Sequence, residues 1–351
     1  PKRDWSSDVC SSDLKKIMTL SGLEERFTLT TTDDEVFINN FSEDVKIGLT
    51  SQSKYLPFVY FYDHIGSQLF EKICDLPEYY LTRTETDILE TNARDIASQF
   101  SEKTVLVELG SGSSTKTRIL IDAFLECQGL AHYTPIDVSH QMLEESSYAL
   151  LKEYPDLEIN AIAARYNEGI DHLNIRKDQQ SLITWLGSSI GNFGRSEVTT
   201  FLQHIQKIMH PNDRFLVGMD LQKDKTIMEN AYNDAQGITA EFNMNLLTHV
   251  NRELGGNFNL ENFGHKAIYS EENGRIEMYL ISHIEQKVFI RELDLEVSFT
   301  ANETIHTENS FKYSLDGIDM LAEETGLYVE QQWFDNERLF SLNLFAPSVN
   351  S

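Results

Sequence analysis

The run Val105-Leu106-Val107-Glu108-Leu109-Gly110-Ser111-Gly112-Ser113-Ser114-Thr115-Lys116-Thr117 holds the residues best spaced for ligand chemistry. An apolar strand that closes beside an acid and opens into a glycine-rich turn lets backbone amides approach a ligand that side chains would block. A second strand-like run ends on Asp137, roughly where a ribose-binding acid is expected. Three nucleotide-like ligands compete for such a turn. The phosphate-cradling loop needs glycine directly before Lys-Ser/Thr, and here Thr115 precedes Lys116, which argues against ATP and GTP. The dinucleotide fingerprint G-x-G-x-x-G has Thr115 in place of its last glycine, so NAD is a second choice. S-adenosylmethionine suits the pattern best: an acid before the turn, two close glycines, and an acid at the end of the next strand to hold ribose hydroxyls.

The elements that must position this turn are read from apolar periodicity. A spacing near 3.6 from Glu85 to about Phe100 predicts a helix feeding the first strand. Strands are expected at Thr104 to Leu109, His132 to Ile136, Leu157 to Ala163, Ser181 to Leu186 and Arg214 to Met219. Helices are expected between them, including Thr117 to Glu126, Gln141 to Tyr154 and Ser196 to Met209. Such alternation specifies a parallel sheet covered on both faces. A long insertion, about Gln222 to Phe311, precedes a helix near Gly317 to Gly326 and two closing strands, Tyr328 to Asp335 and Leu339 to Phe345. With the segment before Glu85, the insertion is expected to form a lid over the carboxyl ends of the strands, where open α/β sheets bind ligands. Residues 1–17 contain two Ser-Ser-Asp copies around Trp5 and Cys10, show no apolar period and precede Met18, so they read as a non-native leader.

Charge and composition exclude several classes of function. With 351 residues the chain can form two moderate domains. Its net charge of −27, without a basic run, repels nucleic acid and anionic membranes. There is no stretch long and apolar enough to span a bilayer and no signal peptide, so the chain reads as cytoplasmic. Cys10, Cys74 and Cys127 show no C-x-x-C spacing, and the ten histidines include no H-E-x-x-H, so no metal site is expected.

Further runs make the function more specific. They are FYDHIGSQLF at Phe61 to Phe70, LPEYYLTRTE at Leu76 to Glu85, LGSSIGNF at Leu186 to Phe193, GMDLQKD at Gly218 to Asp224, RIEM at Arg275 to Met278 and TENSFK at Thr307 to Lys312. In this order, from about Leu49 to Pro347, the chain resembles the histidine Nα-methyltransferases of ergothioneine biosynthesis. The resemblance implies an α/β fold: a Rossmann-like class I methyltransferase sheet with a second, mixed α+β substrate-binding domain. The cofactor domain would comprise residues 84–221 plus 312–351, and the substrate domain 18–83 plus 222–311. It also implies transfer of three methyl groups from S-adenosylmethionine to the α-amino group of L-histidine, giving hercynine, by a monomer.

By similarity, Gly110 and Lys116 would lie near the methionine end of the cofactor, Asp137 at its ribose and Tyr166 at its adenine. Tyr79 would stand between cofactor and substrate. Asn192 and Tyr232 would take the substrate carboxylate, with Tyr62 and Asn192 at the α-amino nitrogen as the catalytic positions. Glu308 and Ser310 would take the imidazole, and Thr239, Phe242 and Met278 would line the pocket. The residue types agree with this allocation. A carboxylate accepts the imidazole N–H, and a hydroxyl serves the other ring nitrogen. The family's acid before an aromatic, suited to the adenine amino group, is replaced here by Arg165-Tyr166, and a guanidinium cannot accept that bond.

Taken one by one these residues have blander readings: core aromatics for Tyr62, Tyr79 and Phe242, a solvated acid for Glu308, and a helix cap or turn for Asn192. Their joint occurrence favours the site. Two alternatives remain: an Nα-methyltransferase for tryptophan or another aromatic amino acid, which Glu308 disfavours, and a non-catalytic cofactor-binding partner subunit, which the intact polar set disfavours.

Overall fold

The computed structural model describes residues 23–31, 34–100, 104–127, 129–173 and 179–348. The leader expected over residues 1–17 lies outside them. Thirteen strands are present among the described residues: β1 Phe27–Thr31, β2 Thr104–Leu109, β3 Leu130–Asp137, β4 Ile159–Ala163, β5 Ser181–Trp185, β6 Arg214–Asp220, β7 Phe263–Ser270, β8 Arg275–Ser282, β9 Gln286–Ile290, β10 Leu295–Phe299, β11 Thr304–Phe311, β12 Leu327–Phe334 and β13 Phe340–Pro347.

Eight of these form one sheet in the order β1-β4-β3-β2-β5-β6-β13-β12. All neighbours are parallel except β13, which runs antiparallel to both β6 and β12. This is the expected Rossmann-like sheet with its antiparallel closing pair. Side chains alternate between its two faces. Leu106, Leu182, Leu216 and Leu342 enter one core, while Val107, Ile183, Val217 and Phe345 enter another on the opposite side. The near-continuous apolar character of β2, β5 and β6 is what burial on both faces demands.

Strand β1 was not expected from sequence. It is short and pairs in parallel with β4 from Phe27↔Ile159 to Thr31↔Ala163. Its position is set by the preceding Arg26, whose guanidinium donates at 2.9 Å to the carbonyls of Leu151, Tyr154 and Leu157. The helix expected from Glu85 starts earlier, at Tyr80, and runs to Ser98, so residues 83 and 84 lie on one continuous helix.

The insertion contains a three-stranded antiparallel sheet, order β11-β8-β7, a β9–β10 hairpin, and the helices Lys225–Tyr232 and Ile238–Leu254. Phe263, Met278, Leu280 and Ile305 of that sheet share one apolar core with Leu106 and Leu182 of the large sheet and with Phe41, Val45 and Leu49. No helix among the described residues is long and apolar enough to cross a membrane.

Candidate active site

After Glu108-Leu109 at the end of β2 the backbone turns at Gly110 with φ +72°. A Cβ there would meet the Tyr166 hydroxyl at 2.6 Å, so dihedral and space both require glycine. Two carboxylates hold the turn. Glu108, buried beneath it, accepts hydrogen bonds from Thr117 Oγ1 and Tyr133 Oη, and burial pushes its carboxyl up to about 7 against the pull of those donors. Asp137 accepts from the Gly112 amide at 2.9 Å and the Ser139 amide at 2.8 Å. Burial raises its carboxyl, and the amides oppose the rise.

The turn opens on a cavity of about 510 Å³ at the carboxyl ends of the parallel strands. All five positions expected at the cofactor line it: Tyr79, Gly110, Lys116, Asp137 and Tyr166. For Lys116 the structure adds a partner. Its ammonium bonds to Glu85, wholly buried, whose carboxylate also accepts the Gly187 amide at 2.9 Å. The charge of Lys116 is therefore matched within the protein. Tyr166 sets its hydroxyl beneath Gly110 and its ring edge-on to Trp185, with centroids 5.3 Å apart. Arg165 donates to Tyr60 Oη at 2.8 Å, and Tyr60 donates to Asp44 Oδ2 at 2.6 Å. Its position thus serves a link to the helix Asp34–Thr50.

A second, narrower pocket shares Tyr62, Phe70, Tyr79 and Asn192 with the cavity. The nine residues expected at the substrate all line it: Tyr62, Tyr79, Asn192, Tyr232, Thr239, Phe242, Met278, Glu308 and Ser310. They come from distant parts of the chain. Glu308 and Ser310 lie on β11, with Met278 of β8 paired to Glu308. Tyr232 ends one helix of the insertion, and Thr239 and Phe242 start the next. Tyr79 caps the helix Tyr80–Ser98. Asn192 closes the tight turn Ser189–Asn192, so it does not cap the helix Arg195–Ile208, which is capped at Gly194.

Two local devices aim these side chains. A bulge lies in β11 between His306 and Glu308. Ile305 pairs with Leu280 and Glu308 with Met278, so Thr307 is the extra residue, and it shifts Glu308 and Ser310 onto the face that Thr307 would otherwise have occupied. Gly191 sits against β11, where a Cβ would be 2.9 Å from the Phe311 carbonyl oxygen. Only glycine lets the turn carrying Asn192 lie that close.

The walls are aromatic and the floor is polar. Tyr62 meets Phe70 and Phe242 edge-on at 5.6 and 5.8 Å, and Tyr79 meets Phe70 and Tyr232 at 6.2 and 6.3 Å. Burial, with Glu308 adding to it, drives the Tyr62 phenol well above its ordinary range, and Tyr79 behaves likewise. Both remain protonated near neutral pH. Burial also pushes Glu308 up to about 7, opposed by the Lys312 ammonium. Tyr232 Oη donates to Ser310 Oγ at 2.8 Å.

Residues 41–347 match the family described as histidine-specific methyltransferases, SAM-dependent. The chain belongs to this family. It is 41% identical to the histidine N-alpha-methyltransferase of Mycolicibacterium smegmatis over 86% of this chain and 93% of that protein. It is 34% identical to the ergothioneine biosynthesis protein 1 of Neurospora crassa, over 84% of this chain and 33% of that longer protein. An L-tryptophan methyltransferase of Psilocybe serbica is 28% identical over 83% of this chain and 87% of its own length.

In this histidine-specific methyltransferase, sequence reasoning passed over the buried charges that hold the site: Glu85, Asp220 and Lys312, with Tyr80. Asp220 ends the apolar run of β6, and Lys312 continues the period-two series Glu308, Ser310, Lys312. A charge in register with two pocket residues was the available signal.

Proposed function

We propose that this chain methylates the α-amino group of L-histidine three times at the expense of S-adenosylmethionine, giving hercynine, as a cytoplasmic monomer. The observation that carries the reading is the meeting of two pockets at Tyr62, Tyr79 and Asn192, one beside the Gly110 turn and one ending in Glu308 and Ser310. One chain lines both.

The left-handed turn at Gly110, which lines the cavity without a side chain, fits the methionine end of S-adenosylmethionine, and Lys116 N-terminal to its helix borders the same end. Asp137 has lone pairs beyond those used by Gly112 and Ser139, which suits two ribose hydroxyls. Tyr166 lines the same cavity as the proposed adenine contact. The bound cofactor supplies an electrophilic methyl group on sulfonium sulfur. The protein's task is alignment and water exclusion, since a displacement at that carbon needs little beyond a well-aimed amine lone pair.

Asn192 and Tyr232 hold the amino-acid carboxylate, Tyr62 and Asn192 the nitrogen, and Glu308 and Ser310 the imidazole, while Thr239, Phe242 and Met278 shape the space. A protonated amine has no lone pair, so it sheds its proton to water on entering. Aromatic faces of Tyr62, Phe70 and Tyr79 then stabilise a nitrogen that loses its hydrogen-bond donors as methyl groups accumulate. Residues 18–83 plus 222–311, apart from β1 in the large sheet, act as the substrate-binding part and residues 84–221 plus 312–351 as the cofactor-binding part.

Incubation with S-adenosylmethionine and each of the twenty amino acids, followed by mass spectrometry, tests the reading. A gain of three methyl groups on histidine alone is expected. Methylation of tryptophan instead, or of nothing, would overturn it.

A further inference from the structure

Lys312 lies just beyond β11 with its side chain wholly buried. Its ammonium is 2.8 Å from Asp220 Oδ2, 2.9 Å from Ser310 Oγ and 3.1 Å from Tyr232 Oη. An ammonium has three donors and no acceptor, so this set uses all of its N–H groups. Both hydroxyl oxygens therefore accept from Lys312, and each must direct its own proton elsewhere. The Tyr232 proton goes to Ser310 Oγ at 2.8 Å. With both lone pairs of Ser310 occupied, by Lys312 and Tyr232, its own proton is left for an acceptor in the pocket.

We propose that Lys312 is a positioning residue for substrate recognition, which together with Tyr232 fixes Ser310 as a donor toward the amino acid. The inference rests on the histidine reading above and deepens it. Glu308 accepts from the ring N–H, Ser310 donates to the bare ring nitrogen, and the site thereby selects a neutral imidazole in one orientation. The Lys312 charge behind Tyr232 favours a carboxylate on that side of the pocket. The charge balance agrees: Asp220 faces two ammonium groups, Lys312 and Lys223, and receives the Tyr80 hydroxyl at 2.8 Å. The cluster is thus cationic behind the point where an anionic group would sit. Burial drives Lys223 down to about 8, whereas Asp220 and Tyr232 keep Lys312 charged against its own burial.

Lys312→Met keeps the length of the side chain and removes its donors and charge, while Asp220 retains Lys223 and Tyr80. In the full-length enzyme the KM for histidine should rise about ten- to a hundredfold. The kcat at saturation and the calorimetric affinity for S-adenosylmethionine should stay within about threefold. Adding Ser310→Ala should make the two losses strongly non-additive, because Lys312 acts through that hydroxyl. An unmoved KM, additive losses, or equal damage to cofactor binding would overturn the proposal. A second measurement does not depend on the variant folding: the wild-type enzyme should discriminate by about a hundredfold or more against pyrrolylalanine with a ring N–H and no bare nitrogen. Equal turnover of that analogue would also overturn it. Absence of histidine methylation by the wild-type chain would sink the functional reading itself, whereas methylation with an unmoved KM in Lys312→Met sinks only the role of Lys312.

Discussion

Glu308 shows how a single buried carboxylate sets both acidity and selectivity. It is 8% exposed, and burial pushes it up to about 7. A folded-state value above the ordinary 4.5 means that the folded chain binds this proton more tightly than the unfolded one. The associated stabilisation is complete below about pH 4.5 and is lost as pH rises through 7. Glu308→Gln, which stays neutral, should therefore melt above wild type at pH 8, with the gain nearly gone at pH 5. Thermal melts at the two pH values check this, and an equal difference at both would show that Glu308 is not the titrating group. Selectivity follows from the same desolvation. An indole leaves the carboxylate buried and unpaired, so wild type should discriminate against tryptophan by orders of magnitude. Glu308→Ala removes the imidazole acceptor along with that penalty, and histidine turnover should fall steeply while tryptophan turnover rises from near zero. Competition assays with both amino acids decide it, and retained histidine preference would remove Glu308 from the imidazole.

At the scale of elements, the site depends on how closely a tight turn approaches a strand. Gly191 allows the turn Ser189–Asn192 to rest on Phe311 of β11, and so sets the distance between Asn192 and Ser310. In Gly191→Ala the new Cβ must push the turn away, because the atom 2.9 Å from it is backbone. A displacement of about 1 Å at a positioning group can reduce turnover by roughly a hundredfold. Histidine kcat/KM should therefore fall by about ten- to a hundredfold in Gly191→Ala, while calorimetry finds cofactor affinity nearly unchanged, since Gly110 and Asp137 lie on other strands. Activity within twofold of wild type would show that the turn has room to spare. The bulge at Thr307 belongs to the same scale, for it decides which face of β11 enters the pocket.

The whole molecule joins two kinds of structure through one apolar core, so cofactor binding should be felt globally. A ligand at a hundredfold excess over its Kd stabilises the folded state by about 2.7 kcal/mol. S-adenosylmethionine at that excess should raise the melting temperature of wild type by several degrees. Asp137→Ala should weaken binding by about 1.5–3 kcal/mol, the scale of lost charge-assisted hydrogen bonds, and abolish most of that shift at the same concentration. Differential scanning calorimetry with and without cofactor measures both effects. A full shift in the variant would remove Asp137 from the ribose. The link Arg165–Tyr60–Asp44 works at this scale as well, tying the strand-end of β4 to the helix Asp34–Thr50. Arg165 is therefore employed in the fold.

The sequence by itself determined the order of strands and helices from β2 to β6 and the closing pair β12 and β13, the glycine turn and the types of residue at the two pockets. Periods of 2 and 3.6 are expressed within about ten residues, the turn declares its backbone conformation through Gly110, and ordered motifs carry the polar set from Tyr62 to Ser310. The boundaries of β2 were legible to the residue for the same reason. Tertiary structure decided which charges meet. Lys312 and Asp220 are 92 positions apart, Arg165 and Tyr60 are 105 apart, and β1 joins β4 across an even longer stretch. No local period encodes such pairs. They follow from sheet order, from a one-residue bulge that reverses a strand's faces, and from the cost of burying a charge without its partner.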